Sequence, residues 1–121
     1  MSRVLVVEDH EDSRDVLRQM LEHIGLRVAE ASSAEQALAL ADAVTFDAVI
    51  TDVSLSTGAR DGIWLLKRLK THPRNAHAPV IAVTGRKERQ TELTGRGFFV
   101  VMMKPVDVLQ LTAVIKGAVG A

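Results

Sequence analysis

The sequence predicts an α/β fold, a parallel β-sheet of five strands with helices packed on both faces. Three observations predict it. Short apolar runs and stretches of helical period alternate five times along 121 residues, the order that builds parallel sheets through crossover connections. That length suits one domain with its own core, and no internal repeat or linker divides it. Four of the five apolar runs also deliver polar side chains to their carboxyl ends, the edge where open parallel sheets collect ligands.

The elements follow in order. Residues 3–7, RVLVV, form a β-branched run of strand length. Val16, Leu17, Met20, Leu21 and Ile24 then recur at helical spacing, and Gly25 closes that helix as a C-cap. Residues 26–31 alternate weakly, which predicts a second, less buried strand. Ser32 and Ser33 precede Glu35 and Gln36 in a capping-box pattern, and Ala34, Ala37, Leu38 and Ala41 give the helix after it a small-residue face. Residues 46–51 predict the third strand. Ile63, Leu65, Leu66 and Leu69 predict the third helix, which ends before Pro73. Pro79 opens the fourth strand, residues 80–84. A short polar helix is expected over 87–93, a fifth strand over 98–103, and a last helix carrying Val108, Leu111, Ile115 and Val119. The small-residue end, KGAVGA, is expected to fray.

Composition narrows the function classes. There is no cysteine, hence no disulfide framework and no thiolate metal site; fifteen basic and fifteen acidic residues cancel. No basic footprint for nucleic acid stands out. No apolar stretch approaches the roughly 20 residues that span a bilayer, and the N-terminus turns acidic too early for a signal peptide. A soluble, cytoplasmic domain is expected.

The strand ends carry the chemistry. VLVV is followed by Glu8 and Asp9, AVI by Thr51 and Asp52, VIAV by Thr84, and VVMM by Lys104 and Pro105. Three carboxylates at one edge repel one another and push at least one pKa upward unless something relieves them. A hard divalent cation such as Mg2+ removes the conflict and keeps waters for a phosphate-bearing substrate. Lys104 adds a mobile positive charge suited to a phosphoryl oxygen, and Thr84 adds a hydroxyl donor. Together these are the parts for phosphoryl transfer, in which positioning and charge neutralisation do most of the work. A carboxylate nucleophile at Asp52 would give an acyl phosphate. Acids after a strand also serve as N-caps, the competing expectation for Asp9 and Asp12. His10, His23, His72 and His77 lack ligand spacing and are expected at the surface. Trp64 reads as packing, and the basic stretch Arg86, Lys87, Arg89 and Arg96 as a solvated helix face.

The stretches VLVVEDHEDSR, DAVITDVSL, Asp61-Gly62, PVIAVTG and MMKPVD stand in a specific order and spacing. Through them the chain resembles the receiver domain of two-component response regulators over nearly its whole length, of the stand-alone, chemotaxis-regulator type. The resemblance implies a three-layer, flavodoxin-like fold with strand order 2-1-3-4-5. It implies that Asp52 accepts a phosphoryl group from a histidine kinase or a histidine phosphotransfer protein. It further implies that Glu8, Asp9, Asp52 and the backbone carbonyl of Ser54 bind Mg2+. Thr84 and Lys104 match the hydroxyl and the lysine that rearrange around the phosphoryl group, and the Lys104-Pro105 bond is expected to be cis. Signalling would run through a changed protein-binding surface to a downstream protein target, without enzymatic turnover beyond self-phosphorylation and autodephosphorylation. No nucleic acid or membrane contact is implied, and a monomer or weak dimer is expected.

The sequence departs from the family pattern at the output side. Val101 stands where an aromatic switch residue is common. The loop after Asp52, SLSTGARDG, lacks the usual proline and is longer than the common form, so a more mobile loop or one shaped for a particular partner is expected. The interval from Thr84 to Lys104 predicts a short fourth helix. Ser54 and Arg86 occupy positions that tune the acyl-phosphate lifetime, and Gly85 leaves the site open to water. Three other functions compete: a degenerate receiver that binds partners without phosphorylation, a Mg2+-dependent phosphatase using Asp52, and a nucleotide or flavin module. Against the last, STGARDG has neither a Walker lysine nor dinucleotide glycine spacing.

Overall fold

In a computed structural model of the chain, residues 2–55 and 60–120 are described. Five strands alternate with five helices: β1 (Arg3–Val7), α1 (Glu11–Ile24), β2 (Arg27–Ala31), α2 (Ala34–Ala43), β3 (Ala48–Asp52), α3 (Gly62–Lys70), β4 (Val80–Thr84), α4 (Arg89–Leu93), β5 (Val100–Met103) and α5 (Val108–Ala118). The strands form one parallel sheet in the order β2-β1-β3-β4-β5.

The strand alternation sorts the core into two layers. Leu5, Val7 and Val49 face Ala34, Ala37, Ala41, Leu65, Leu66 and Leu69, so α2 and α3 cover one side. Val4, Val6, Ile50, Ile81 and Val83 face Leu17, Leu21, Leu111 and Ile115, so α1 and α5 cover the other. Strands buried from both faces need apolar residues at every position, which is why β1 and β4 read as unbroken runs. A smaller cluster of Val53, Ala82 and Leu93 lies under α4, with Ile63, Phe98 and Val101 packed against it.

The local punctuation is physical. Gly25 takes φ 104°, a left-handed conformation open to glycine. Its N–H donates to Glu22 O at 3.0 Å while Leu26 N–H donates to Leu21 O at 3.1 Å, the paired bonds of a Schellman close. At α2, Ser33 Oγ accepts from Gln36 N at 3.1 Å, and Gln36 Oε1 accepts from Ser32 N.

Several expectations shift. Strand β3 begins at Ala48 rather than 46 and includes Asp52, and β5 begins at Val100 rather than 98. Helix α4 is five residues long, shorter than the 87–93 span. Neither Asp9 nor Asp12 caps α1; the N-cap is His10, and its side chain makes no capping bond. His72 is not a surface residue: its side chain is 11% exposed, and its Nε2 lies 2.8 Å from Asp42 Oδ1. Its Nδ1 accepts from the backbone N–H of Arg74 and of Asn75, so the imidazole donates from Nε2. Trp64 packs against the core, as the sequence predicts, and the guanidinium groups of Arg60 and Arg68 lie 5.4 and 5.3 Å from its ring centroid. The basic stretch near α4 is exposed at Arg86, Lys87 and Arg96, as the sequence predicts, and Arg86, Arg89 and Arg96 form ion pairs with Glu88 and Glu92. The middle of the long loop, residues 56–59, lies outside the described residues.

Candidate functional site

Parallel strands place their carboxyl ends on one edge, and the register brings four of them side by side. Asp52 is the last residue of β3 and pairs in register with Val83, next to Thr84 at the end of β4. Glu8 follows β1 directly, and Lys104 follows β5. Lys104 N–H donates to Thr84 O at 2.9 Å, extending the β4–β5 ladder to the site. The Lys104-Pro105 bond is cis.

The side chains meet at this edge, with the two carboxylates buried and Lys104 partly exposed. Asp52 is 6% exposed and Glu8 1%. Lys104 Nζ donates to Asp52 Oδ2 at 2.9 Å and to Glu8 Oε2 at 3.4 Å. The other Asp52 oxygen, Oδ1, accepts the N–H of Ser54 at 3.2 Å. Thr84 is buried on the same edge, its hydroxyl accepting from Arg86 N–H at 3.1 Å. Arg14 closes the back by donating to Glu8 O at 3.0 Å. A cavity of about 700 Å³ opens beside these groups, between Val16 and Met20 of α1 and Gly85, Lys104 and Val106.

Electrostatics follow from this crowding. Burial raises the Glu8 carboxyl above the usual carboxylate range; the hydrogen bond and charge of Asp52 push the same way, and Lys104 opposes them. For Lys104, burial works to lower the ammonium, but the hydrogen bond and charge of Asp52, with Glu8 behind them, overcome it and hold it above the ordinary lysine range.

Glu8, Asp52 and Lys104 are thus in direct contact, with Ser54 bonded to Asp52 through its amide and Thr84 beside them on the edge. Asp9 stands outside that knot. Its Oδ1 is buried and accepts no hydrogen bond among the described residues. His10 Nδ1 stands 3.3 Å from it without making a hydrogen bond; burying a carboxylate oxygen without a hydrogen bond is costly, and a bound cation is one way such an atom is satisfied. Glu8, Asp9 and His10 offer ligand atoms that all lie within 4.8 Å of one another. An oxygen-rich pocket with an orphaned acceptor fits a hard divalent cation. His10 is 75% exposed, the surface position the sequence predicts, and its ring lies beside the two acids that precede it in the chain.

Two motif residues show why they are needed. Asp61 caps α3, its carboxylate accepting from Ile63 and Trp64 N–H. A Cβ on Gly62 would meet Asp52 O at 2.6 Å and Val53 Cα at 2.9 Å, and Gly62 N–H donates to Val53 O at 3.0 Å. The DG pair therefore starts α3 hard against the backbone that carries Asp52.

Among the described residues no helix is long and apolar enough to cross a membrane. The family model of the response regulator receiver domain matches residues 4–116. An uncharacterised 14.6 kDa protein of Leptolyngbya boryana is 35% identical over 115 residues, which cover 93% of this chain and 86% of that one. The aerobic respiration control sensor protein ArcB of Escherichia coli is 34% identical over 116 residues, covering 93% of this chain but only 14% of that protein. The crystal structure of a response regulator receiver domain protein from Clostridium thermocellum superposes with a TM-score of 0.87 at 26% identity, covering 98% of this chain and 94% of that one. With its sheet order and the converging strand ends, the chain belongs to the response regulator receiver domain family.

Proposed function

We propose that this receiver domain is a phospho-acceptor that takes a phosphoryl group onto Asp52 from a histidine kinase or a histidine phosphotransfer protein, and signals by changing its protein-binding surface. The observation that carries this reading is the Asp52 carboxylate, buried at the end of a central strand, with Lys104 Nζ at 2.9 Å on one oxygen and Ser54 N–H at 3.2 Å on the other. In the reaction an Asp52 oxygen attacks the phosphorus of the donor phosphohistidine. The new O–P bond forms as the P–N bond breaks, and the donor imidazole leaves. Water attacking the same phosphorus later breaks that O–P bond, frees the carboxylate and releases inorganic phosphate, so the chemistry is limited to self-phosphorylation and autodephosphorylation, without turnover of other substrates.

Glu8, Asp9, Asp52 and the Ser54 carbonyl would hold Mg2+, which when bound neutralises charge on the transferred phosphoryl oxygens. Lys104 is already aimed at the acceptor and needs only to follow an oxygen to stay paired. Gly85 has open space where a Cβ would sit, which leaves water a route. The output runs through the Leu93 cluster. Val53 follows Asp52, Ala82 lies on β4 two residues before Thr84, and both pack on Leu93 of α4. Val101 packs there too, so the response passes by shifted contacts and not by a swinging ring. We place the domain in the cytoplasm as a monomer or weak dimer.

The test is incubation with acetyl phosphate and Mg2+, read by intact mass, for wild type and Asp52→Asn. Wild type should gain one phosphoryl group and the variant none. Equal labelling of both would place the acceptor elsewhere, and no labelling of wild type would favour a receiver that works without phosphorylation.

A further inference from the structure

We propose that His10 is a ligand of the divalent-cation site, and that its imidazole biases the site toward a borderline ion such as Co2+ over Mg2+. This rests on reading the pocket as a receiver metal site. The inference begins with what His10 does not do. It occupies the N-cap of α1, where Ser, Thr, Asn or Asp would accept an N–H of the first turn, yet its side chain makes no capping bond. The ring turns back toward the acids instead. Nδ1 lies 3.3 Å from Glu8 Oε1 and also 3.3 Å from Asp9 Oδ1.

An ion pair explains this geometry poorly. One Nδ1–H serves one acceptor well, not two, and both contacts are longer than the roughly 2.7–2.9 Å of charge-assisted hydrogen bonds. The ring is also 75% exposed while Glu8 and Asp9 are 1% and 14% exposed, so water screens the imidazole end of either pair. Asp9 Oδ1 keeps no hydrogen bond despite the nearby ring. A cation accounts for the spacing. Ligand atoms held about 2.0–2.2 Å from one ion stand roughly 3–3.5 Å apart, and the two 3.3 Å separations fall in that interval. Glu8 bridges the halves of the pocket, with Oε1 toward His10 and Oε2 toward Lys104. Imidazole suits later first-row ions, whereas an all-oxygen site suits Mg2+, so the ring changes preference rather than creating the site.

The experiment is calorimetric titration of the metal-free full chain with Co2+ and with Mg2+ at about pH 8, where an ordinary imidazole is neutral. Wild type, His10→Ala and Asp9→Asn are compared. His10→Ala should lose at least ~10-fold in Co2+ affinity while Mg2+ affinity stays within ~2-fold. The Co2+-loaded wild type should also show a paramagnetically shifted imidazole N–H proton that is missing in His10→Ala. Unchanged Co2+ affinity with no lost resonance overturns the role of His10 and leaves the Mg2+ reading standing. Asp9→Asn separates the two: if it leaves Mg2+ affinity unaltered, the metal site itself lies elsewhere and both readings fall.

Discussion

Replacing Lys104 by methionine keeps the side chain's length and removes its charge. In the resting protein Lys104 Nζ stands 2.9 Å from Asp52 Oδ2 and 3.4 Å from Glu8 Oε2. At an effective dielectric near 20, those separations correspond to gross attractions of about 6 and 5 kcal/mol. Desolvation of the ions takes back much of this, and the lysine side chain, 32% exposed, is partly screened. The carboxylates it leaves behind are 1% and 7% exposed, so they cannot recover their hydration. Breaking one side of a buried pair costs ~3–5 kcal/mol; discounted for the exposed end of the lysine, Lys104→Met should cost about 2–3 kcal/mol in metal-free buffer. Asp52→Asn in the same background should recover most of that loss, because it removes the carboxylate left unpaired, and a double-mutant cycle by urea denaturation should give a coupling near 2 kcal/mol. Added Mg2+ should narrow the Lys104→Met deficit by supplying the missing positive charge. A loss under ~0.5 kcal/mol, or a coupling near zero, would refute the claim that Lys104 is the resting counter-ion of the pocket.

Three further outcomes are expected. Asn75 is 2% exposed; its side chain accepts from Phe46 N–H at 2.8 Å and donates to Ala41 O and Val44 O at 2.8 and 2.9 Å. Asn75→Ala should therefore destabilise the fold by ~2–4 kcal/mol, and an unchanged urea midpoint would show that water replaces all three bonds. Gly62→Ala should cost about 1–3 kcal/mol and slow acetyl phosphate labelling, whereas Gly85→Ala, with nothing within 4 Å of the new Cβ, should cost under ~0.5 kcal/mol; equal effects would dismiss the steric account. Glu8 is held above its unfolded value of 4.5, so its favourable contribution is complete below that value and is lost as pH rises through the folded one. In metal-free buffer Glu8→Gln should thus gain on wild type as pH rises above 4.5, and a difference in unfolding free energy that stays flat or falls on that side would mean that burial does not disfavour the Glu8 carboxylate.

The fold was legible because its signals are local. Runs buried on both faces, a left-handed glycine after α1 and a serine–glutamine box before α2 each act within a few residues, and each appears where the sequence predicts it. The convergence of Glu8, Asp52 and Lys104 was legible through strand ends, since a parallel sheet maps each terminus onto one edge. What escaped was set by distant neighbours. His72 looks like any loop histidine until Asp42, thirty residues away, arrives beside it. The role of Asn75 depends on the end of α2 and the approach to β3, which no periodicity connects to it. Strand β3 started late because Asp47, whose carboxylate accepts from Arg3 N–H at 2.8 Å, belongs to the turn before the strand. The orphaned oxygen of Asp9 is a matter of packing and leaves no trace in residue order.

The tight seat of Gly62 against Asp52 and Val53 bears on how this lineage tolerates change. The chain leaves the sheet at Val53 and is tied back to it at Gly62 by the 3.0 Å bond to Val53 O, so the intervening stretch begins and ends at one anchored point. Ser54, whose N–H bonds Asp52, and the buried Leu55 stand just inside that anchor, so a change of size or length there reaches the carboxylate unless both keep their seats.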